Sequence, residues 1–353
     1  MTAVHHFVAT YEPGAIGGHI VELQRLCRDL GWESEVFTEH LRGLPGRDFR
    51  YYPKLARDDD VLVYHTAIGS PVADFVADRR ERLVVNHHNL TPTTFFAAWE
   101  PGVVHGLAWG RAQMATLATR AEEGIADSSF NETELVELGF RRTTVVPILF
   151  DLAQLDREVD EGLLARLRDE PGPTWLFVGR IAPNKCHHDL IKAFAVYRRV
   201  YERSARLRIV GGSASEGYVD ALRSLVSALQ LDDAVTFTGG VSDGALGAHY
   251  AAADVYVCVS EHEGFCVPVL EAMHHDVPVV AYGAGAVPET LGAGGLCLPA
   301  KEPTRVAAAV DRVLRDATVR DALVSAGRAQ LATFALDRTR ARMADALRLL
   351  VAP

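Results

Sequence analysis

From one end of the chain to the other, short apolar runs alternate with longer amphipathic segments, and that alternation confines it to a parallel α/β architecture. In the first half, the runs at residues 4–9, 35–38, 61–65, 83–87, 124–126 and 144–147 read as strands. Helical periodicity falls between them at 18–30, 71–79, 104–121 and 131–138. A charge-dense segment over 151–173 then closes on Glu170-Pro171-Gly172-Pro173, a run built for a turn. A second series follows, with strands at 174–178, 206–210, 234–237, 255–259 and 277–281. Its helices fall at 189–203, 217–229, 244–252, 269–274 and 304–316, and 336–351 is an Arg-rich amphipathic helix. The 353 residues accommodate two domains of ordinary size. Two doubly wound domains would face a cleft, with ligands at the carboxyl ends of the strands.

Composition narrows the functional classes. The net charge of −10 argues against nucleic-acid binding. Residues 1–150 carry 14 Lys and Arg against 20 Asp and Glu, so this half offers no basic face to anionic lipid, and membrane association is at most weak. Arg79-Arg80 with Arg82, and Arg141-Arg142, read as solvated turns or helix ends. No apolar stretch is long enough to span a bilayer, and the first residues read as a buried strand, not a signal peptide. Five scattered cysteines in apolar surroundings read as reduced thiols of a cytoplasmic protein.

Two segments of the second half carry chemistry. Trp175 to Lys185 reads as a strand, then Gly179, which permits close backbone approach, then two cations. Arg180 can grip phosphate oxygens with a planar fork, and Lys185 acts as a point charge. The run 260–273 follows an apolar strand and places Glu263 on a Gly-Phe-Cys turn, with Glu271 about two turns into a helix that starts near Pro268. A helix N-terminus offers backbone donors to phosphate, and the two carboxylates offer acceptors to sugar hydroxyls. Together these groups suit a sugar nucleotide.

Gly179-Arg180 with Lys185, then Glu263-Gly264-Phe265 and Glu271, resembles the retaining glycosyltransferases of family 4, which have the GT-B fold. Val210-Gly211-Gly212, the 237–241 strand end with Tyr250 beyond it, and Gly285-Ala286-Val287-Pro288-Glu289 extend the likeness, which is strong over 174–300 and weaker in the first half. The resemblance implies two Rossmann-like domains. Residues 1–165 with 334–353 would bind the acceptor, the last helix crossing back to this domain. Residues 166–333 would bind the donor. It further implies that Arg180 and Lys185 neutralise the departing diphosphate and that Glu263 accepts from donor-sugar hydroxyls. The amides of Phe265, Cys266 and Val267 would face sugar and phosphate, Glu271 would hold the ribose, and the Val241 backbone would lie near the base. Family members usually have Gly where Cys266 stands, and commonly Gly where Cys186 follows Lys185. Cys266 therefore adds a Cβ beside the expected sugar position, which would narrow donor choice.

In the first half, Asn86-His87-His88-Asn89-Leu90-Thr91-Pro92 ends an apolar strand. Enzymes similar to this one place a histidine there against the donor sugar and the acceptor side. Alignment with the His-Asn-x-Thr-Pro form selects His88, with His87 second and Asn89 beside them. Alternate strand residues point to opposite faces, so one histidine of the pair faces the cleft. His65 ends the preceding strand and either joins the acceptor pocket or sits in a structural turn. The spacing of His65, His87 and His88 fits no common zinc pattern. The loop over 11–19 has no full dinucleotide-binding glycine register. By the resemblance its Gly14, Ala15 and Gly17 lean over the diphosphate, with Ala15 replacing one of the commoner paired glycines. Residues 126–132 read as a strand end and helix cap, with Ser128 or Ser129 capping.

The reading is a metal-independent retaining glycosyltransferase, without a cofactor, in which a nucleotide sugar is co-substrate. It moves a hexosyl unit from a UDP- or GDP-sugar to a hydroxyl of a small-molecule, glycan or lipid-linked acceptor. The rivals are a GT-B-fold sugar phosphorylase or sugar-nucleotide epimerase, and a non-catalytic sugar-nucleotide binding protein. The last would be marked by loss of Arg180, Lys185 or a carboxylate, and all are present.

Overall fold

A computed structural model describes residues 3–156 and 159–351. The chain divides into two compact units, Met1–Asp151 with Phe334–Pro353, and Leu152–Thr333. Each is built on one parallel sheet, as the alternating apolar runs require.

The first unit contains β1 (Val4–Tyr11), β2 (Val36–Leu41), β3 (Arg47–Asp48), β4 (Val61–Thr66), β5 (Arg82–His87), β6 (Glu123–Ala126) and β7 (Thr143–Val145), ordered β3-β2-β1-β4-β5-β6-β7. Strand alternation sorts residues between its two faces. Val4, Val61, Val63, Val84 and Ile125 lie in one core cluster with Leu23 and Leu26 of helix Ala15–Asp29. The same cluster takes in Met343, Leu347 and Leu350 of helix Leu336–Val351, so the last helix returns to the first unit. Each of those three side chains is almost fully buried, worth about 1.5–3 kcal/mol apiece. Arg340 adds ion pairs to Glu22 and Asp29, and Arg342 donates to the Val145 carbonyl at 2.6 Å. On the other face, Phe7, Phe37 and Tyr52 meet ring to ring at 5.1–5.2 Å.

The second unit contains β8 (Thr174–Val178), β9 (Arg206–Val210), β10 (Val235–Gly239), β11 (Val255–Cys258), β12 (Val279–Tyr282) and β13 (Gly295–Leu298), ordered β10-β9-β8-β11-β12-β13. The short strands β3 and β13 are absent from the sequence reading, because two residues in one case and a Gly-led run in the other carry no apolar period. Helix Glu161–Arg168 was hidden inside the charge-rich segment. It packs Leu164 and Leu167 against Ala248 of helix Asp243–Ala251. A boundary at 165/166 would cut that helix, and the units divide instead between residues 151 and 152.

Glycines let three strand ends of this sheet crowd together. Gly211, with φ at +144°, donates to the Gly239 carbonyl at 3.0 Å, and Gly179 donates to the Val210 carbonyl at 2.9 Å. A Cβ on Gly211 would lie 2.1 Å from the Gly179 carbonyl oxygen, whereas one on Gly212 would meet nothing within 4 Å. Gly211→Ala should therefore destabilise the protein by about 3 kcal/mol or more, and Gly212→Ala by about 0.5 kcal/mol or less, in urea denaturation.

Candidate functional site

Each sheet has one place where the connections diverge to opposite sides, between β1 and β4 in the first unit and between β8 and β11 in the second. Such a point leaves a crevice beyond the strand ends that no crossover helix covers. Gly14, Ala15 and Gly17 follow β1, and His65 is the last residue but one of β4. Gly179, Arg180 and Lys185 follow β8, and the run from Glu263 follows β11.

In the second unit, Lys185 and Glu263 form an ion pair across these two loops. Burial alone would lower the Lys185 pKa, but the Glu263 carboxylate and the other groups around it together raise it, so the ammonium stays charged. Backbone and side chains hold the pair in place. Asn184 Nδ2 donates to the His262 carbonyl at 3.0 Å, and the Glu261 amide donates to the Asn184 carbonyl at 2.9 Å. Lys301 bridges Asp189 at 2.7 Å and Glu261 at 2.8 Å. The Ala286 amide donates to the Glu263 carbonyl at 2.9 Å, an approach allowed because a Cβ on Gly285 would lie 2.6 Å from that oxygen. Arg180 is exposed and has no carboxylate partner among the described residues.

Beyond Glu263 the chain turns into helix Val267–His274 through Cys266, which is left-handed at φ +76°. Cys186, before helix His187–Val200, is left-handed at φ +53°. Both cysteines thus stand where glycine costs least, and a side chain there costs about 1–2 kcal/mol. First-turn amides of a helix lack intrahelical acceptors, so the amide at Val267 is available to an anion. Phe265, Cys266 and Val267 are all buried, and Thr290 Oγ1 donates to the Phe265 carbonyl. Glu271 is buried about one turn into this helix, not the two the sequence suggests, because the helix starts at Val267, and it accepts a hydrogen bond from Tyr250 Oη at 2.6 Å. Burial pushes its carboxyl up to about 7, against the pull of Tyr250. Val241 is half-buried just before helix Asp243–Ala251, whose N-terminus Ser242 caps.

In the first unit, Gly14 (φ +140°) precedes helix Ala15–Asp29, with Ala15 exposed. A Cβ on Gly17 would lie 1.9 Å from the Glu12 carbonyl oxygen, so the tight turn needs that glycine. The sheet face that begins with valines becomes polar at its carboxyl end, where His6, His65, Asn86 and His88 gather under His19 and Cys27 of that helix. His88 Nδ1 meets Asp127 Oδ2 at 2.7 Å, and a carboxylate accepts, so this nitrogen carries the proton. His88 Nε2 then accepts from His65 Nδ1 at 2.9 Å, and His65 Nε2 accepts from His6 Nδ1 at 3.2 Å. The Cys27 thiol completes the chain, 3.9 Å from His6 Nε2. Burial holds three of the rings neutral, lowering His6 to about 3, His19 to about 4 and His65 well below the ordinary value. His19 accepts the Leu149 amide on Nδ1 at 2.9 Å, so its Nε2 donates to Asn86 Oδ1 at 2.9 Å.

His19, His65 and His88 bring ring nitrogens within 4.8 Å of one another, a spacing a metal could bridge. Every ring nitrogen of the three is already hydrogen-bonded, and the grouping is a satisfied network. His87 points to the other sheet face, where Nε2 meets Glu134 Oε2 at 2.9 Å. The two histidines do point oppositely, yet both rings are buried inside their own unit. Asn89, next along, is left-handed at φ +91°.

The structure therefore brings together Lys185 and Glu263, and separately His65 and His88. Sequence reasoning treated Asp127 only as part of a strand end before a cap. Ser128 does cap helix Ser129–Glu137, but Asp127 also orients His88. His6, His19 and Lys301 were likewise missed, since lone residues of these types carry no pattern. For Asp127 the available signal was an acid directly after β6, the strand beside the one that His88 directly follows.

The family model described as glycosyl transferases group 1 matches residues 165–330. The GDP-mannose-dependent alpha-(1-6)-phosphatidylinositol monomannoside mannosyltransferase of Mycolicibacterium smegmatis is 34% identical over 340 residues, covering 84% of this chain and 86% of that protein. The protein of the same name from Mycobacterium tuberculosis is 36% identical over 196 residues, and that match spans 53% of this chain but only 50% of its relative. Among solved structures, sucrose-phosphate synthase from Thermosynechococcus elongatus superposes with a TM-score of 0.80 at 20% identity, covering 99% of each chain. The fold is GT-B, with two Rossmann-like units. The chain belongs to the glycosyl transferases group 1 family.

Proposed function

We propose that the protein transfers a hexosyl unit from a nucleoside-diphosphate sugar to an acceptor hydroxyl, with retention at the anomeric carbon and without a divalent metal. The observation that carries this reading is the Lys185–Glu263 pair at the divergence of the second sheet, with exposed Arg180 beside it in sequence. The bond from the anomeric carbon to the diphosphate oxygen breaks, and negative charge develops on the diphosphate. Arg180, Lys185 and the amides at the start of helix Val267–His274 are fixed positive groups for that charge, which removes the need for a metal. Glu263 accepts from sugar hydroxyls while holding Lys185 in place, and Glu271 accepts from the ribose. The acceptor belongs to the first unit, where Asp127 orients the His88 ring as a positioned dipole.

The family supports a glycosyltransferase over a phosphorylase or an epimerase. The names of the two mycobacterial relatives make GDP-mannose the first donor to test. Release of GDP that depends on added acceptor would separate transfer from the other two activities. Glu263→Gln and Lys185→Ala should each lower acceptor-dependent nucleotide release by about 100-fold or more. Activity within a few-fold of wild type in either variant would contradict the assigned roles.

Glu271 gives a pH signature. Its folded value near 7 stands above the ordinary 4.5, so the folded protein binds this proton more tightly than the unfolded chain. The stability it contributes is complete below pH 4.5 and is lost as pH rises through 7. Melting curves should show wild type losing stability relative to Glu271→Gln between about pH 5 and about pH 8. Ribose hydroxyls donate to the ionised form, so GDP binding near neutral pH should release a proton in wild type and not in Glu271→Gln.

A further inference from the structure

The left-handed position of Cys266 brings its thiol next to a second one. Cys266 Sγ lies 4.0 Å from Cys258 Sγ at the end of β11, and both residues are buried. Cys258 Sγ in turn lies 3.4 Å from Ser260 Oγ. Cys266 retains 7% exposure, while Cys258 has none. The two residues flank the segment that carries Glu263, with Phe265 and Val267 on either side of Cys266.

We propose that Cys258 and Cys266 form a reversible disulfide that disables the sugar-nucleotide loop, making this dithiol a redox modification site. The oxidant is a peroxide. The two thiols give up their hydrogens, one S–S bond forms, the O–O bond of hydrogen peroxide is reduced, and two molecules of water leave. The sulfurs must close from 4.0 Å to about 2.05 Å, and only the loop end of the pair is free of a strand. Closure therefore draws Cys266 toward β11 and displaces Glu263 and the amide at Val267.

A soft metal cation held by Cys258, Cys266 and Glu263, whose ligand atoms lie within 4.8 Å of one another, is the competing use of these residues. The Lys185 ammonium already occupies the carboxylate of Glu263 and would repel such a cation. Hydrogen bonding between the thiols favours the dithiol reading further. The contact between the two thiols lowers the pKa of Cys258, while that of Cys266 rises.

The link itself rests on geometry alone, whereas its effect on activity rests on the glycosyl-transfer reading. The test is to expose the folded protein to hydrogen peroxide, block remaining thiols with maleimide, and map the peptides, with GDP release followed in parallel. The expected result is a Cys258–Cys266 link that leaves three of the five thiols open to the label once the protein is denatured. Acceptor-dependent release should fall by about 100-fold and return on reduction with dithiothreitol. Cys258→Ser, which cannot form the link, should keep its activity through the same treatment, and Cys258→Ala serves if the serine variant folds poorly. The proposal is overturned if both thiols stay reduced while exposed Cys297 is oxidised, or if Cys266 advances to a sulfinic acid without a link. It is also overturned if the link forms and release is unchanged. A mapped link in a protein that shows no transfer even when reduced supports the modification site and counts against the function reading.

Discussion

A half-buried ammonium is steadied by a counter-charge, and Lys185 finds one 78 residues away on Glu263. That single pairing ties the loop after β8 to the loop after β11 across the point where the connections of the sheet diverge. Much of the surrounding structure serves to keep the two loops in register. Asn184 bonds into the backbone at 261–262, Lys301 spans Asp189 and Glu261, and Gly285 lets a third loop press its neighbouring amide onto the Glu263 carbonyl. A carboxylate held this firmly presents its remaining acceptor capacity in one direction. A lysine held this firmly stays charged where charge is needed.

The first unit solves a different problem. Six of its polar groups meet at the carboxyl end of one sheet face, and burial penalises charge on the titratable ones among them. The protein keeps His6, His19 and His65 neutral and lets one carboxylate, Asp127, set the direction of a line of donors that runs back to Cys27. Polarity is thus conserved without charge, and His88 is locked by partners at both nitrogens. A hydrogen-bond network of this kind specifies one arrangement, because reversing one link alone sets like groups, two donors or two acceptors, face to face.

Much of this was legible in the sequence. Period and breaker residues marked eleven of the strands, because buried parallel strands are apolar along their whole length. They missed β3 and β13, where pairing with a neighbour, not apolar character, makes the strand. The loops that meet through Lys185 and Glu263 were legible because glycines, cations and carboxylates stand at set offsets from strand ends. The left-handed backbone at Cys186 and Cys266 was not legible from the cysteines themselves, yet both fall where the family usually carries glycine. The histidine line escaped because it is assembled from β1, β4, β5 and helix Ala15–Asp29, so no local spacing records it. Its logic is sheet register: His65 stands opposite Val8 and Asn86, and only that pairing puts His6 and His88 on either side of it.

Among the described residues, no helix is long and apolar enough to cross a membrane. The central claim concerns the second unit, that its divergence point is a nucleotide-sugar clamp built on Lys185, Glu263 and Glu271. The most direct measurement is a crystal structure with GDP bound. The account predicts the ribose hydroxyls within hydrogen-bond reach of Glu271 and the diphosphate against Lys185 and Arg180. A nucleotide seated away from these strand ends, or one whose ribose leaves Glu271 untouched, would contradict it.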